Sequence, residues 1–350
     1  MILADQEVVF KSAGVSIHAS TRLPDSTQPN VPGAVIIAGS GPVDRNGSVG
    51  AAGTATEIHM DLYRWIAELL ATQGVASLRY DKITSGATGL GPYSSDPAQL
   101  VAQDFDNIFV QPARDALAYL AAQPGIDPER LIVIGHSEGG LIAMLLAVDT
   151  ELSLCGLVLA EPSYARLFDV VSRQLADQVD LAAVSAEVKV ALKKYADTGL
   201  EEIRQSSALT EPSASLPPLD HPEGEAALWQ DTMRSVIYGR MRNLLMKSED
   251  ALVPIELAAQ LNLEVLITAG TKDFNTPATP GGQDGSGVSA LAAAVPAGLA
   301  TYVELPNVTH ILRDIGDADP MGLTLTEQIN CPYSTLFADV LQQFVSSRVN

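Results

Sequence analysis

The stretch 131–140 reads Leu-Ile-Val-Ile-Gly-His-Ser-Glu-Gly-Gly, and an apolar run follows it from 141 to 148. A serine hydroxyl can attack an acyl carbon once a base takes its proton. Ser137 stands between Gly135 and Gly139, after a short strand rich in Ile and Val and before a helix apolar enough to be buried. The glycines permit a turn too sharp for larger residues. Such a strand-turn-helix lifts the hydroxyl above a sheet and leaves the Glu138 amide at a helix N-terminus, where it can donate to a developing oxyanion. The five-residue Gly-x-Ser-x-Gly pattern alone arises readily in a chain with 27 glycines. The strand and helix around it carry the argument.

A serine nucleophile needs a histidine base held by a carboxylate. In parallel α/β sheets ligands bind beyond the carboxyl ends of strands, so both partners are sought just after strands. Of the five histidines, His310 alone meets this condition outside the elbow, following an expected strand over 301–305. Asp273 follows a buried strand over 263–270, with Asp284 in a Gly-rich loop as the competing acid. His18 on an alternating strand, His59 on a surface helix and His221 in a Pro-rich break read as structural or solvent-exposed. A second oxyanion donor must come from another segment. The loop 39–47, Gly-Ser-Gly-Pro-Val-Asp-Arg-Asn-Gly, follows the apolar strand 34–38 and offers the amide of Ser40. Asp44 and Arg45 are expected to brace that loop by pairing with each other or with neighbours.

Elements able to hold these groups alternate along the chain. A hairpin is expected over 8–19, then strands at 34–38, 75–80, 131–135 and 157–160. Helices are expected at 56–72 and 105–122, the latter interrupted by Pro112, and Asp127-Pro128 is read as a turn. A Gly-, Ser- and Thr-rich loop to about residue 97 follows Arg79-Tyr-Asp-Lys82 and could wall a site. This rhythm argues a mostly parallel sheet with helices on both faces. It stops at 163, where helix is expected throughout 163–205, then a Pro-rich break over 206–223 and a helix over 226–246. The reading is a core domain of 1–162 and 252–350 with a helical cap inserted over 163–251. Trp229, Met233, Tyr238, Met241 and Met246 either line an acyl pocket or pack the cap's own core. The rhythm resumes at 263 and ends in a helix over 334–349.

Composition narrows the partners. A net charge of −21, from 42 acidic and 21 basic residues, repels nucleic acid and anionic membrane surfaces. No apolar run is long enough to span a bilayer, and residues 1–10 lack a basic segment followed by an apolar one, so a cytoplasmic protein is expected. Cys155 and Cys331 support neither a disulfide scaffold nor a zinc site and are expected as buried free thiols. The composition leaves the oligomeric state open.

The motifs Gly135-His-Ser-Glu-Gly139, Gly270-Thr-Lys-Asp273 and Asn307-Val-Thr-His310 resemble the α/β-hydrolase superfamily of serine hydrolases over nearly the whole chain. The loop Gly39-Ser-Gly-Pro-x-Asp-Arg45 and Arg79-Tyr-Asp-Lys82 are similar to a bacterial esterase-like and aminopeptidase-like branch. Two positions depart from it: Ala38-Gly39 stands where His-Gly is common, and Ile83-Thr84 follows Lys82 where Arg-Gly is frequent. The resemblance implies an α/β-hydrolase fold, with Ser137 as nucleophile, His310 as base and then acid, and Asp273 as orienting carboxylate. The amides of Ser40 and Glu138 would form the oxyanion hole. It further implies a small-molecule ester substrate, an acyl-serine intermediate and no cofactor or metal. Thioester or aminoacyl-amide cleavage by the same groups is the alternative, and a non-catalytic ligand-binding module a more distant one. Glu161 or Asp220 could partner a substrate amine.

Overall fold

A computed structural model of the chain describes residues 4–25, 28, 30–50, 57–181, 185–206, 225–280 and 285–349. Eight strands form one sheet: β1 Gln6–Ser12, β2 Val15–Arg22, β3 Val31–Ile37, β4 Ala76–Tyr80, β5 Ile126–His136, β6 Gly156–Ala160, β7 Val265–Gly270 and β8 Ala300–Leu305. Their spatial order is β1-β2-β4-β3-β5-β6-β7-β8. β1 and β2 form an antiparallel hairpin and β2 meets β4 antiparallel, whereas β4, β3, β5, β6, β7 and β8 run parallel. The central strands β3, β4, β6 and β7 are buried at every residue, as unbroken apolar runs demand when both faces are covered.

Alternation along the strands sends side chains to two cores. Ala34, Ile36, Ile132, Ile134, Val158 and Leu266 pack with Ile66 and Leu70 of the helix Leu62–Thr72 and with Phe337, Leu341 and Phe344 of the helix Thr335–Val349. Their neighbours Val35, Ile37, Val133, Leu157 and Ile267, equally buried, face the opposite side. There the helices Gln111–Ala121, Glu138–Ala147 and Gly287–Ala294 pack. From β3 the chain crosses to β4 on one side, and from β5 to β6 on the other. The adjacent carboxyl ends of β3 and β5 are therefore a topological switch point, where open α/β sheets bind ligands.

Several boundaries differ from expectation. The first long helix begins at Leu62, not near 56: Asp61 takes a left-handed conformation (φ 52°), and Ile58 bridges to Val49 instead. His59 consequently precedes the helix. Pro112 starts the helix Gln111–Ala121 rather than interrupting one, because a first-turn residue needs no N–H partner; a π-turn over Asp106–Val110 leads into it. Asp127 and Pro128 lie within β5, where the pairing jumps from Val31 with Ile126 to Gly33 with Leu131. The helical stretch after 163 is two helices, Leu167–Leu181 and Ala186–Gln205, the second capped by the Ser185 hydroxyl accepting from the Val188 N–H. The later one is likewise two, Glu225–Arg240 and Leu244–Asp250. Cys155 and Cys331 are free but half-buried rather than buried.

The chain divides into two compact units. One holds Met1–Ser95, Phe109–Tyr164 and Pro254–Asn350, and contains the sheet; the other holds Asp96–Ile108 and Ala165–Val253. The second has its own apolar centre, in which Phe168, Leu192, Tyr195, Leu200, Met233 and Ile237 are buried. Trp229, Tyr238, Met241 and Met246 pack around that centre. Among the described residues no helix is long and apolar enough to cross a membrane.

Candidate active site

Ser137 takes φ 56° and ψ −123°, a conformation that costs a non-glycine residue on the order of 1–3 kcal/mol and persists only when its surroundings over-determine it. They do so here. Its N–H donates to Ala160 O at 3.0 Å, and its carbonyl accepts from Gly140 N–H at 2.9 Å and Ser163 N–H at 3.1 Å. The elbow closes because two glycines lack side chains: a Cβ on Gly135 would lie 2.1 Å from Gly139 O, and one on Gly139 would lie 2.3 Å from Ile37 O. The second contact presses the end of β3 against the elbow.

The loop after β8 carries His310 to Ser137, with His310 Nε2 3.0 Å from Ser137 Oγ. His310 Nδ1 is 2.7 Å from Asp273 Oδ2. A carboxylate only accepts, so Nδ1 carries the ring proton and the Nε2 lone pair faces the serine hydroxyl. Asp273 is held by the N–H groups of Asn275 (2.7 Å) and Thr276 (2.9 Å), and the Thr276 hydroxyl lies 2.7 Å from its Oδ2. Burial would raise this carboxyl, yet its pairing with His310 and these donors bring it below the usual carboxylate range. Asp284, His221 and Asp220 fall outside the described residues.

Glu161, following β6 with φ 49°, is fully buried beside Asp273. It accepts from Gly270 N–H at 2.5 Å and from the Thr268 hydroxyl at 3.3 Å. Burial and the neighbouring Asp273 charge push its carboxyl well above the usual range. A residue so enclosed does not face a substrate amine, which removes Glu161 from that role.

His136, between Gly135 and Ser137, braces two loops. Its Nε2 is 2.8 Å from the carbonyl of His310, which can only accept, so Nε2 bears the proton. Nδ1 then accepts from the Tyr63 hydroxyl at 3.0 Å, and the Tyr63 oxygen accepts from Gly39 N–H at 2.8 Å. Burial, aided by the His310 charge, takes His136 down to about 3, so it stays neutral through this chain of bonds. Tyr63 lies at a helical position that reads as core, and its sequence neighbours give no sign of this bridge. Thr276 was equally silent, three residues past Asp273.

Ser40 is exposed, and Gly39 beside it packs against Ser137: a Cβ there would lie 3.1 Å from that of the serine. Arg45 braces this loop through Asp81, Nη1 to Oδ2 at 2.6 Å, while Asp44 accepts from the N–H groups of Asn46 and Ser48. The loop's partners are thus neighbours rather than an Asp44-Arg45 pair. Glu138 is buried, its carboxylate 2.7 Å from Lys82 Nζ.

The sheet order, the elbow at the switch point and the helices on both faces define an α/β-hydrolase fold, and the esterase-like and aminopeptidase-like resemblance of the motifs stands on it. The family model for serine aminopeptidases of the S33 type matches residues 56–217, a span that includes Ser137 but stops short of Asp273 and His310. Among solved structures, the chain is similar to Est1E from Butyrivibrio proteoclasticus with ferulic acid bound (TM-score 0.53, 16% identity, 97% of this chain and 98% of that one). It is also similar to proline iminopeptidase from Mycobacterium smegmatis (TM-score 0.55, 18% identity, 98% of each). A third likeness is to acylaminoacyl peptidase from Pyrococcus horikoshii (TM-score 0.58, 12% identity, all of this chain and 42% of that one). At such identities these likenesses concern the fold. The inactive dipeptidyl peptidase 10 of Mus musculus is 32% identical over 113 residues, which span 32% of this chain and 13% of that protein's length.

Proposed function

We propose that the protein is a serine hydrolase that cleaves carboxylic esters through an acyl-Ser137 intermediate. One observation carries the reading: the unbroken chain of hydrogen bonds from Ser137 Oγ through both nitrogens of His310 to Asp273. In this reading His310 Nε2 takes the hydroxyl proton as Ser137 Oγ attacks the ester carbonyl. Charge builds on the carbonyl oxygen, where the amides of Ser40 and Glu138 receive it. The tetrahedral adduct collapses, the carbon–oxygen bond to the alcohol breaks, and the Nε2 proton passes to the departing alkoxide. Water then repeats the sequence on the acyl-enzyme and frees the acid. Asp273 holds the Nδ1 proton throughout and offsets the imidazolium charge.

A second reading, cleavage of aminoacyl amides by the same groups, is favoured by the S33 aminopeptidase match; thioester cleavage by the same groups is the further alternative. Initial rates on p-nitrophenyl esters of increasing acyl length, and on aminoacyl p-nitroanilides, separate the readings. Faster turnover of esters than of anilides by wild type, lost in Ser137→Ala, is the expected outcome. The reverse preference would favour the peptidase.

A further inference from the structure

The network behind the elbow contains a cation that the serine, histidine and aspartate do not use. Lys82 follows β4 by two residues and is 1% exposed. Its ammonium donates to Gly39 O at 2.5 Å and to Glu138 Oε1 at 2.7 Å, with the Phe109 ring centroid 5.0 Å away. Burying an ammonium this completely is costly, and a single carboxylate seldom makes it favourable. The contact to Gly39 gives the arrangement a chemical sense.

The Gly39 carbonyl and the Ser40 N–H belong to one peptide group. A peptide is planar and trans, so anchoring its oxygen on Lys82 turns its N–H to the opposite side. A cation on the oxygen also draws electron density from the nitrogen, which makes that N–H a stronger donor. The ammonium's other partner, Glu138, bears the second amide on its own backbone. The two segments are far apart in sequence and meet on one nitrogen atom.

We propose that Lys82 is the positioning residue of the oxyanion hole, holding the Gly39-Ser40 peptide and Glu138 so that their N–H groups converge, and strengthening the Ser40 donor by its charge. The proposal rests on the acyl-Ser137 reading. A lysine that merely stabilises the fold would leave transition-state binding untouched once the protein is folded. One that sets the hole affects the oxyanion and little else.

The experiment compares wild type, Lys82→Met, and Lys82→Met combined with Glu138→Gln. The double variant removes the carboxylate that the single change would leave buried and unpaired, and circular dichroism checks its fold. Two quantities are read: kcat and KM on a p-nitrophenyl ester, and the inhibition constant of a trifluoromethyl ketone of matching acyl chain, which adds to a serine as an oxyanion. Loss of one oxyanion donor commonly lowers kcat by about 100- to 1,000-fold, and a misaligned donor is expected to cost roughly 10- to 100-fold. We expect that fall in kcat in both variants, KM nearly unchanged, and a ketone constant that rises by the factor lost in kcat/KM. A folded double variant with kcat and ketone constant within about threefold of wild type would overturn the assignment, since that is far below the effect of a lost donor. A rise in KM alone would overturn it too. Wild type that neither turned over an ester nor bound the ketone would instead remove the acyl-serine reading, and the role of Lys82 with it.

Discussion

At Glu161, burial and the neighbouring Asp273 charge hold a carboxyl above its ordinary range, and this has a measurable consequence. Glu161 is held above its ordinary range, so between about 4.5 and its folded-state value the folded protein keeps a proton that the unfolded chain has released. Stability from this group is fully present at low pH and falls as pH rises through that window, by up to about 1.4 kcal/mol per pH unit. Glutamine at this position is close in shape and does not titrate. Thermal melts of wild type and Glu161→Gln are therefore expected to diverge above pH 4.5, the variant gaining relative to wild type as pH increases. A difference that is flat or shrinks with pH would contradict a raised Glu161 carboxyl. His136 works in the opposite direction: its neutral form is the one folded, and its contribution is lost as pH falls from the ordinary histidine value of 6.5 toward about 3.

The elements that deliver the site are short and tightly abutted, so small changes in them have large expected effects. Gly135→Ala places a methyl group against Gly139 O and must push the elbow off β5. We expect a loss of about 1–3 kcal/mol by overpacking, seen as a lowered Tm, and near-complete loss of turnover. Tyr63→Phe leaves Gly39 N–H and His136 Nδ1 without their shared hydroxyl, at about 1–3 kcal/mol for the unsatisfied groups. It should also slow kcat several-fold, because it loosens the loop bearing Ser40. Unchanged melting and turnover would show that the bridge is dispensable. These elements differ in how far the sequence displays them. β3, β5, β6 and β7 are legible because burial on both faces writes unbroken apolar runs, and the ends of β7 and β8 pointed to Asp273 and His310. The onset of the helix at Leu62 was not legible, since it depends on the backbone angle of Asp61 and on a bridge from Ile58 to Val49. The Tyr63-His136 bridge was hidden for another reason. A tyrosine at a core-facing helical position looks the same whether or not its hydroxyl joins two loops.

Over the whole molecule, two units each bury their own apolar centre. Met233, fully buried in the helical unit, is a test of their energetic separateness. Met233→Ala should cost about 2–5 kcal/mol through the cavity it leaves. Hydrogen exchange should then accelerate in the helices Leu167–Leu181, Ala186–Gln205 and Glu225–Arg240, while β3, β5 and β6 keep wild-type protection. Equal acceleration in both would show one cooperative unit.

The central claim is that Ser137 is the nucleophile of an acyl transfer to water, and p-nitrophenyl ester hydrolysis by wild type and Ser137→Ala addresses it most directly. The account predicts wild-type turnover that falls by at least roughly a thousandfold in the variant, with the fold intact. Equal turnover in the two proteins, or none from wild type on any ester, thioester or aminoacyl amide, would contradict it.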